Sequence, residues 1–345
     1  MTPALSFIIP VRNDAVRLRR CLDTIRSTTG AIPAEIVVVD NGSVDDSAAV
    51  ARTAGARVIV MPDVRVSVLR NAGARAAAAD LLAFVDADHE LAPGWTQAAG
   101  VIFADHTVGA AGAQYHAPAD GTWVQRMYDG FRRRPSGHQP VNWLPSGNLV
   151  LRRVAFQSIE GFDESLVTCE DVDLCQRLQA KGWQLLEADE LRSVHHGDPA
   201  TLGALFRGEL WRGQDNLRVS VRAFGGLRDL PSIAFPIATL CGLLAVAGGL
   251  VAWPFVGPLP MVAGLLLLVW LLAVRTAVLF RRTSTTPALL RLFQAMLVAG
   301  TYDLARGCAL VVHAPHELRG SSPFASRSTL LESSAAPTNG SREQG

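Results

Sequence analysis

The chain has 345 residues, enough for one sizeable soluble domain and a further region. Its formal net charge of +1 gives no bulk electrostatic case for a nucleic-acid partner, and none is expected. Five cysteines without any C-x-x-C spacing (Cys21, Cys169, Cys175, Cys241 and Cys308) argue against a disulfide framework and a zinc site, and suit a reducing, cytosolic setting for the soluble part.

Residues 5–9 are apolar and stop at Pro10, which lacks a ladder donor. The run is too short for a signal-peptide core and reads as a first strand. Asn13 is expected to cap a helix in which Leu18, Cys21, Leu22 and Ile25 share one face. Residues 35–39 form a second buried strand that ends at Asp40. Asn41-Gly42-Ser43 is a turn, and Asp45, Asp46 and Ser47 open another helix. Residues 57–60 are a third strand and residues 67–79 an alanine-rich helix. Residues 81–85 are a buried strand running straight into Asp86-Ala87-Asp88. Strands alternating with helices in this way predict an α/β fold, a mostly parallel sheet with helices on both faces.

Ligands gather at the C-terminal edge of such a sheet. Asp40 and Asp86 end two strands on that edge, one placed for a base or ribose and the other for a metal on a diphosphate. Asp86 and Asp88 repel each other and need a cation to stay ionised, such as a divalent metal carrying a phosphate. The first turn is not G-x-G-x-x-G and no Walker A sequence occurs, which disfavours dinucleotide and P-loop readings.

Four segments in order carry a resemblance: Phe7-Ile8-Ile9-Pro10-Val11-Arg12-Asn13, Val39-Asp40-Asn41-Gly42-Ser43 followed by Asp45-Asp46-Ser47, Arg70-Asn71-Ala72-Gly73, and Asp86-Ala87-Asp88. Over residues 4–200 the chain resembles family 2 glycosyltransferases of the GT-A fold. The resemblance implies that Pro10, Asn13, Asp40, Asn41, Gly42, Ser43, Asn71 and Asp86 bind the nucleotide, and that Asp88 holds Mg or Mn on its diphosphate. Gly147 and Asn148, in a Gly-Asn-x-x-x-Arg segment, and Gly161-Phe162-Asp163 would line the donor-sugar and acceptor cleft.

Leu174, Cys175 and Leu178 mark the buried face of a helix, with Glu170 and Asp171 at its N-terminus, where the dipole favours negative charge. The resemblance implies Asp171 as catalytic base, with Glu170 the next candidate; Asp173 is expected to point away. A His after the strand at 183–187 would complete the metal or diphosphate site, either His195 or His196. Trp211-Arg212 stands in the reverse order to the Gln-x-x-Arg-Trp motif of the family's processive synthases, which disfavours a long-chain polymer synthase. Arg207 and Arg212 would steady the diphosphate or face lipid headgroups.

Residues 232–274 contain no Asp, Glu, Lys or Arg. Residues 233–253 and 259–280 are long enough to span a bilayer, joined by a short uncharged turn. Arg222 and Arg228 before them and Arg281 and Arg282 after them place both ends in the cytosol. Arg275 is expected to snorkel. Residues 288–312, interrupted by Arg291, Asp303 and Arg306, read as an interfacial helix or a third span. The expected organisation is therefore a GT-A domain over 1–225, C-terminal transmembrane helices over 226–315, and a disordered tail over 316–345.

The expected activity is inverting transfer of a sugar from a nucleoside-diphosphate donor to a membrane-associated lipid or glycan acceptor in cell-envelope glycan or glycolipid synthesis. The expected setting is the plasma membrane, with a multi-pass anchor and a cytoplasmic catalytic domain. A polyprenyl-phosphate glycosyltransferase making a lipid-linked sugar donor is the nearest alternative. A nucleotidyltransferase is disfavoured by the absence of glycines in residues 10–20, and a non-catalytic membrane scaffold by the acids at 40, 88 and 171.

Overall fold

A computed structural model describes residues 3–131, 137–222, 230–283 and 288–312. The chain opens with β1 (Leu5–Val11), α1 (Ala15–Thr29), β2 (Ala34–Asp40), α2 (Ser47–Thr53), β3 (Arg57–Val60), α3 (Val66–Ala76) and β4 (Leu81–Val85). Then come β5 (His89–Leu91), α4 (Trp95–Ile102), β6 (Val108–Gly112), β7 (Tyr115–His116), α5 (Trp123–Asp129), β8 (Gln139–Pro140) and β9 (Asn148–Arg152). The domain closes with α6 (Arg153–Ser158), α7 (Glu170–Ala180), β10 (Gln184–Glu187), β11 (Ser193–His195), α8 (Leu202–Arg212) and α9 (Asn216–Arg222).

Eight strands form one sheet in the order β3-β2-β1-β4-β9-β6-β10-β8. β1 pairs in parallel with β2 and β4, and β2 with β3. β9 runs antiparallel between β4 and β6, so the parallel half ends at the strand carrying Asp86. Phe7, Ile9 and Val11 face one layer with Leu18, Leu22, Ile25 and Trp95, while Ile8 faces the other with Phe84, Leu149 and Leu151. Cover on both faces is why these strands read as unbroken apolar runs. Each fully buried Ile, Leu or Phe contributes about 1.5–3 kcal/mol.

The helix before β4 lies against β1 because Gly73 has no side chain. A Cβ there would overlap the Ile8 side chain and stand 3.2 Å from Val39 Cγ2. A small second sheet, β5-β11-β7, springs from the end of β4. Its register sets His195 directly opposite His89, immediately beyond Asp88.

Two helices, α10 (Leu230–Val256) and α11 (Leu259–Arg282), are long and apolar enough to cross a membrane, with mean hydropathies of 2.1 and 2.3 over their most apolar stretches. They approach closely where glycines meet: a Cβ on Gly264 would stand 2.7 Å from the Gly242 carbonyl oxygen, and one on Gly249 would stand 2.5 Å from the Met261 nitrogen. After them, α12 (Ala288–Cys308) packs along α8 as well as α10 and α11, burying Ala295, Val298 and Ala299. Arg275, expected to snorkel, instead pairs with Asp303 of α12 at 2.8 Å and lies 4.3 Å from the Phe235 ring centroid. An opposite charge inside the bundle lowers the cost of keeping that guanidinium among apolar helices, so it has no need to reach the surface. Arg228 and the tail at 316–345 lie outside the described residues.

Replacing Gly73 by Ala is expected to destabilise the domain by about 1–3 kcal/mol through overpacking against β1. Thermal unfolding of the full chain in detergent checks this, and an unchanged midpoint would remove the contact from the account.

Candidate active site

A single cleft of about 680 Å³ runs along the C-terminal edge of the parallel strands. Its near end is lined by Pro10, Val11, Arg12 and Asn41 on one side and by Val64, Arg65 and Leu69 on the other. The loop beneath that end differs from the expectation. Asp40 is buried, and its Oδ1 accepts from the backbone N–H of Ser43 at 2.9 Å and from the Ser43 hydroxyl at 2.5 Å. Asn13 neither caps α1 nor lines the cleft: its Oδ1 accepts the Val44 N–H at 2.8 Å, and its own N–H donates to Ser43 Oγ at 2.9 Å. Gly42 supplies the left-handed φ of +71° that the turn needs. Asn13, Asp40, Gly42 and Ser43 therefore brace the loop from below, because short polar side chains next to a turn satisfy its backbone first. Asn41 does reach the cleft, with its amide held by both polar groups of the Val64 backbone at 3.0 and 3.1 Å.

Two more of the expected site residues lie off the cleft lining. Asn71 is buried and absent from the cleft lining: it donates to Phe162 O and Glu164 Oε1 and accepts the Phe162 N–H, each at 2.9 Å. It fastens the Gly161-Phe162-Asp163 turn to α3. Asn148 is fully buried, donating to Leu191 O at 2.6 Å and accepting from Trp95 Nε1 at 3.1 Å, so it ties the sheet together beneath the cleft. Gly147 does line the cleft, and its small size is required, since a Cβ would stand 2.7 Å from Asp86 Oδ2.

At the centre stands Arg70, a residue whose role sequence reasoning missed although it lies in a quoted motif. Its side chain is 4% exposed and bridges Asp86 Oδ1 and Glu170 Oε1, each at 2.7 Å. Glu170 is thus held as an ion-pair partner, with Ser146 Oγ at 3.4 Å from the same oxygen. Breaking such a buried pair costs about 3–5 kcal/mol. Asp171, the neighbour, accepts backbone N–H groups from Val172 at 2.8 Å and from Ser146 among the described residues. Burial, reinforced by the Glu170 charge and only partly offset by Arg70, lifts its carboxyl to about 7. Asp173 turns to Arg177 at 2.6 Å.

Asp88, His89 and His195 bring one potential ligand atom each within 4.8 Å of one another. His195 Nδ1 is engaged by the buried Asp198 at 2.8 Å, which aims Nε2 at Asp88 Oδ2, 3.3 Å away. Gly197 completes a cradle: a Cβ there would fill it, overlapping Asp88 Oδ2 and standing 2.8 Å from His195 Nε2. Burial would raise Asp88, but His195, His89 and Arg17 together hold it far below the carboxylate range. Burial alone would lower His195, yet Asp88 and Asp198 raise it to about 9, so the pocket demands positive charge. A carboxylate, an imidazole fixed by a second carboxylate, and a space closed by glycine suit a divalent cation. His196, the other candidate, turns away to Glu90 Oε1 at 2.9 Å. His89 and Asp198 were not anticipated; the signals are a His directly after D-x-D and a His-x-x-Asp spacing.

Residues 6–159 match the sequence profile described as glycosyl transferase family 2. The chain belongs to glycosyl transferase family 2. Over 194 residues it is 31% identical to the pre-mycofactocin glycosyltransferase of Mycobacterium tuberculosis, covering 52% of this chain and 40% of that relative. It thus spans two fifths of that protein's length. It is 26% identical to the succinoglycan biosynthesis protein ExoA of Rhizobium meliloti, covering 72% of this chain and 80% of the relative. Among solved structures, the mannosyltransferase PcManGT of Pyrobaculum calidifontis, in complex with GDP-Man and Mn2+, aligns at a TM-score of 0.52 with 18% identity, covering 88% of this chain and 87% of that one. The sheet order and this alignment establish the GT-A fold for the family 2 chain.

Replacing Asp198 by Asn in this family 2 chain is expected to weaken Mn2+ binding about 10–100-fold, as loss of an orienting partner does. Glu90→Gln, which loosens His196 and Arg20 but touches none of Asp88, His195 and Asp198, is expected to leave it within about twofold. Isothermal titration with Mn2+ reads both, and equal losses would reassign the ligand.

Proposed function

We propose that this chain is an inverting glycosyltransferase that moves a sugar from a nucleoside diphosphate to a hydroxyl on a membrane-borne lipid or glycan acceptor. The carrying observation is that Asp171 and the Asp88–His195 cradle share one cleft, in which the Asp171 carboxyl is shifted up and the Asp88 carboxyl down. Opposed shifts of this kind separate a charged ligand group from a base poised near neutrality.

The nucleoside lies at the end lined by Pro10, Val11, Arg12 and Asn41, on a loop braced by Asp40, Ser43 and Asn13. Asp88 and His195, with His89 beside them, would hold Mg or Mn. A cation so held supplies charge neutralisation for the leaving diphosphate. The relative bound to GDP-Man and Mn2+ supports a sugar-nucleotide donor of this type. Asp171 takes the proton as the acceptor oxygen forms its bond to the anomeric carbon. The bond from that carbon to the diphosphate breaks on the opposite face, its electron pair leaves with the nucleoside diphosphate, and configuration inverts. Arg70 holds Asp86 and Glu170 in ion pairs at 2.7 Å each, which leaves Asp171 as the carboxylate beside them with no cation directly engaged among the described residues. Two spans, α10 and α11, would anchor the catalytic domain at the cytosolic face of the plasma membrane, and the ExoA relative supports envelope glycan synthesis as the setting.

A screen of sugar nucleotides on the full chain, with Mn2+ or chelator, scores release of nucleoside diphosphate; chelator-resistant release, or none with any donor, defeats the reading. Asp171→Asn is expected to lower kcat by about 10²–10⁴ with donor affinity retained. The wild-type rate is expected to rise with pH through about 7 as Asp171 loses its proton. An Asp171→Asn variant that keeps both rate and acid limb would show that another group is the base.

A further inference from the structure

The cleft does not stop at Asp171. It continues between α8 and α12 to Ser232, in the first turn of α10, so its far end opens where the first apolar helix begins. Aromatic side chains wall this end: Tyr128, Phe131, Trp211 and Tyr302. Among the described lining residues contributed by α5 and by α8 to α12, the charged ones are Arg212 and Arg306, both cations.

Arg306 is fixed rather than mobile. Its Nε donates to the fully buried Glu209 at 2.7 Å, Nη1 donates to the Arg212 carbonyl at 3.3 Å, and the guanidinium stands 5.4 Å from the Tyr302 ring centroid. Tyr302 is stacked on Phe131 at 4.6 Å. The Glu209 carboxylate is held in turn by Tyr128 OH at 2.6 Å and Arg212 Nη1 at 3.0 Å. The Nη2 hydrogens of Arg306 meet no acceptor among the described residues. Trp211 Nε1 is likewise buried without a partner, on a side chain that lines the same space. A fixed guanidinium with donors to spare, in the wall of an aromatic recess, suits a phosphate group.

The geometry points to a phosphate-binding subsite at Arg306 and Trp211 that takes a phosphate-bearing lipid, with the tail leaving past Ser232 toward the apolar helices. This rests on the reading of the cleft as a glycosyl-transfer site and names the acceptor class for it. The subsite lies close to the base. Cys169 Sγ and Arg306 Nη1 meet the same Arg212 carbonyl, at 4.0 and 3.3 Å. Cys169 and Asp171 are two positions apart, a Cα reach of at most about 7 Å. An ionised phosphate oxygen carries no proton for Asp171 to remove. The accepting oxygen is therefore a hydroxyl on the first unit joined to the phosphate.

The test titrates the full chain in neutral phosphatidylcholine nanodiscs with farnesyl phosphate, farnesol and inorganic phosphate, following tryptophan fluorescence. GDP and UDP binding with Mn2+ is measured in parallel. Farnesyl phosphate is expected to bind at least about tenfold more tightly than farnesol or phosphate alone, and R306Q to remove most of that preference. Nucleotide affinity is expected to stay unchanged in R306Q, because Arg306 lies outside the nucleoside end. R306Q leaves Glu209 with one partner fewer, so the paired variant R306Q/E209Q and the charge-keeping R306K accompany it as folded controls. R306K should retain part of the preference and the paired variant none. Equal binding of farnesol and farnesyl phosphate, or full preference in R306Q/E209Q, overturns the subsite. Phosphate alone binding as tightly as farnesyl phosphate overturns the lipid source. Loss of nucleotide binding in the unmodified chain counts against the transferase reading instead.

Discussion

The site depends on one buried guanidinium. Arg70 enters from α3, which Gly73 lets settle on β1, and it joins a carboxylate at the end of β4 to a carboxylate at the start of α7. Arg70 and Glu170 are 100 positions apart in the chain. Two carboxylates facing one cation with excellent geometry is the condition under which burying charge is tolerated. Because Arg70 holds Glu170 and Asp86, the remaining acids in the cleft are free to diverge. Asp171 is left to burial and to the Glu170 charge, and rises. Asp88 is left to two imidazoles and Arg17, and falls.

That divergence is a matter of position along one edge. The small sheet that follows β4 sets His89 against His195, and Asp198 fixes which nitrogen faces Asp88. The glycines at 147 and 197 keep side chains away from Asp86 and Asp88. The cleft then has a braced loop at one end, the Asp88–His195 cradle in the middle and the raised Asp171 carboxyl beyond it.

Much of this was legible in the chain. Strands buried on both faces show as unbroken apolar runs, so β1, β2 and β4 and the acids at their ends stood out. The paired acids opening α7 stood out because helix N-termini favour negative charge. The side chains that the fold places beside the cleft rather than in its lining share a physical cause. Asn13, Asp40, Asn71 and Asn148 lie in or beside recognisable motifs, but each meets local hydrogen-bonding needs that only the folded backbone defines. His195 and His196 are adjacent, and only strand register tells which one faces inward. Arg275 looked like a snorkelling residue because its partner Asp303 lies 28 residues away on another helix.

Tyr302 and Arg306 wall the cleft from α12, which the chain reaches only after passing through α10 and α11. The groove beside Asp171 is therefore unfinished while the apolar hairpin is still being made. A nascent chain that has folded its sheet holds Asp171 and the Asp88–His195 cradle but lacks the last wall of the cleft. Biosynthetic order thus ties completion of the cleft to arrival of the segment that follows the hairpin, so a polypeptide stalled before α12 would carry the groove open on one side.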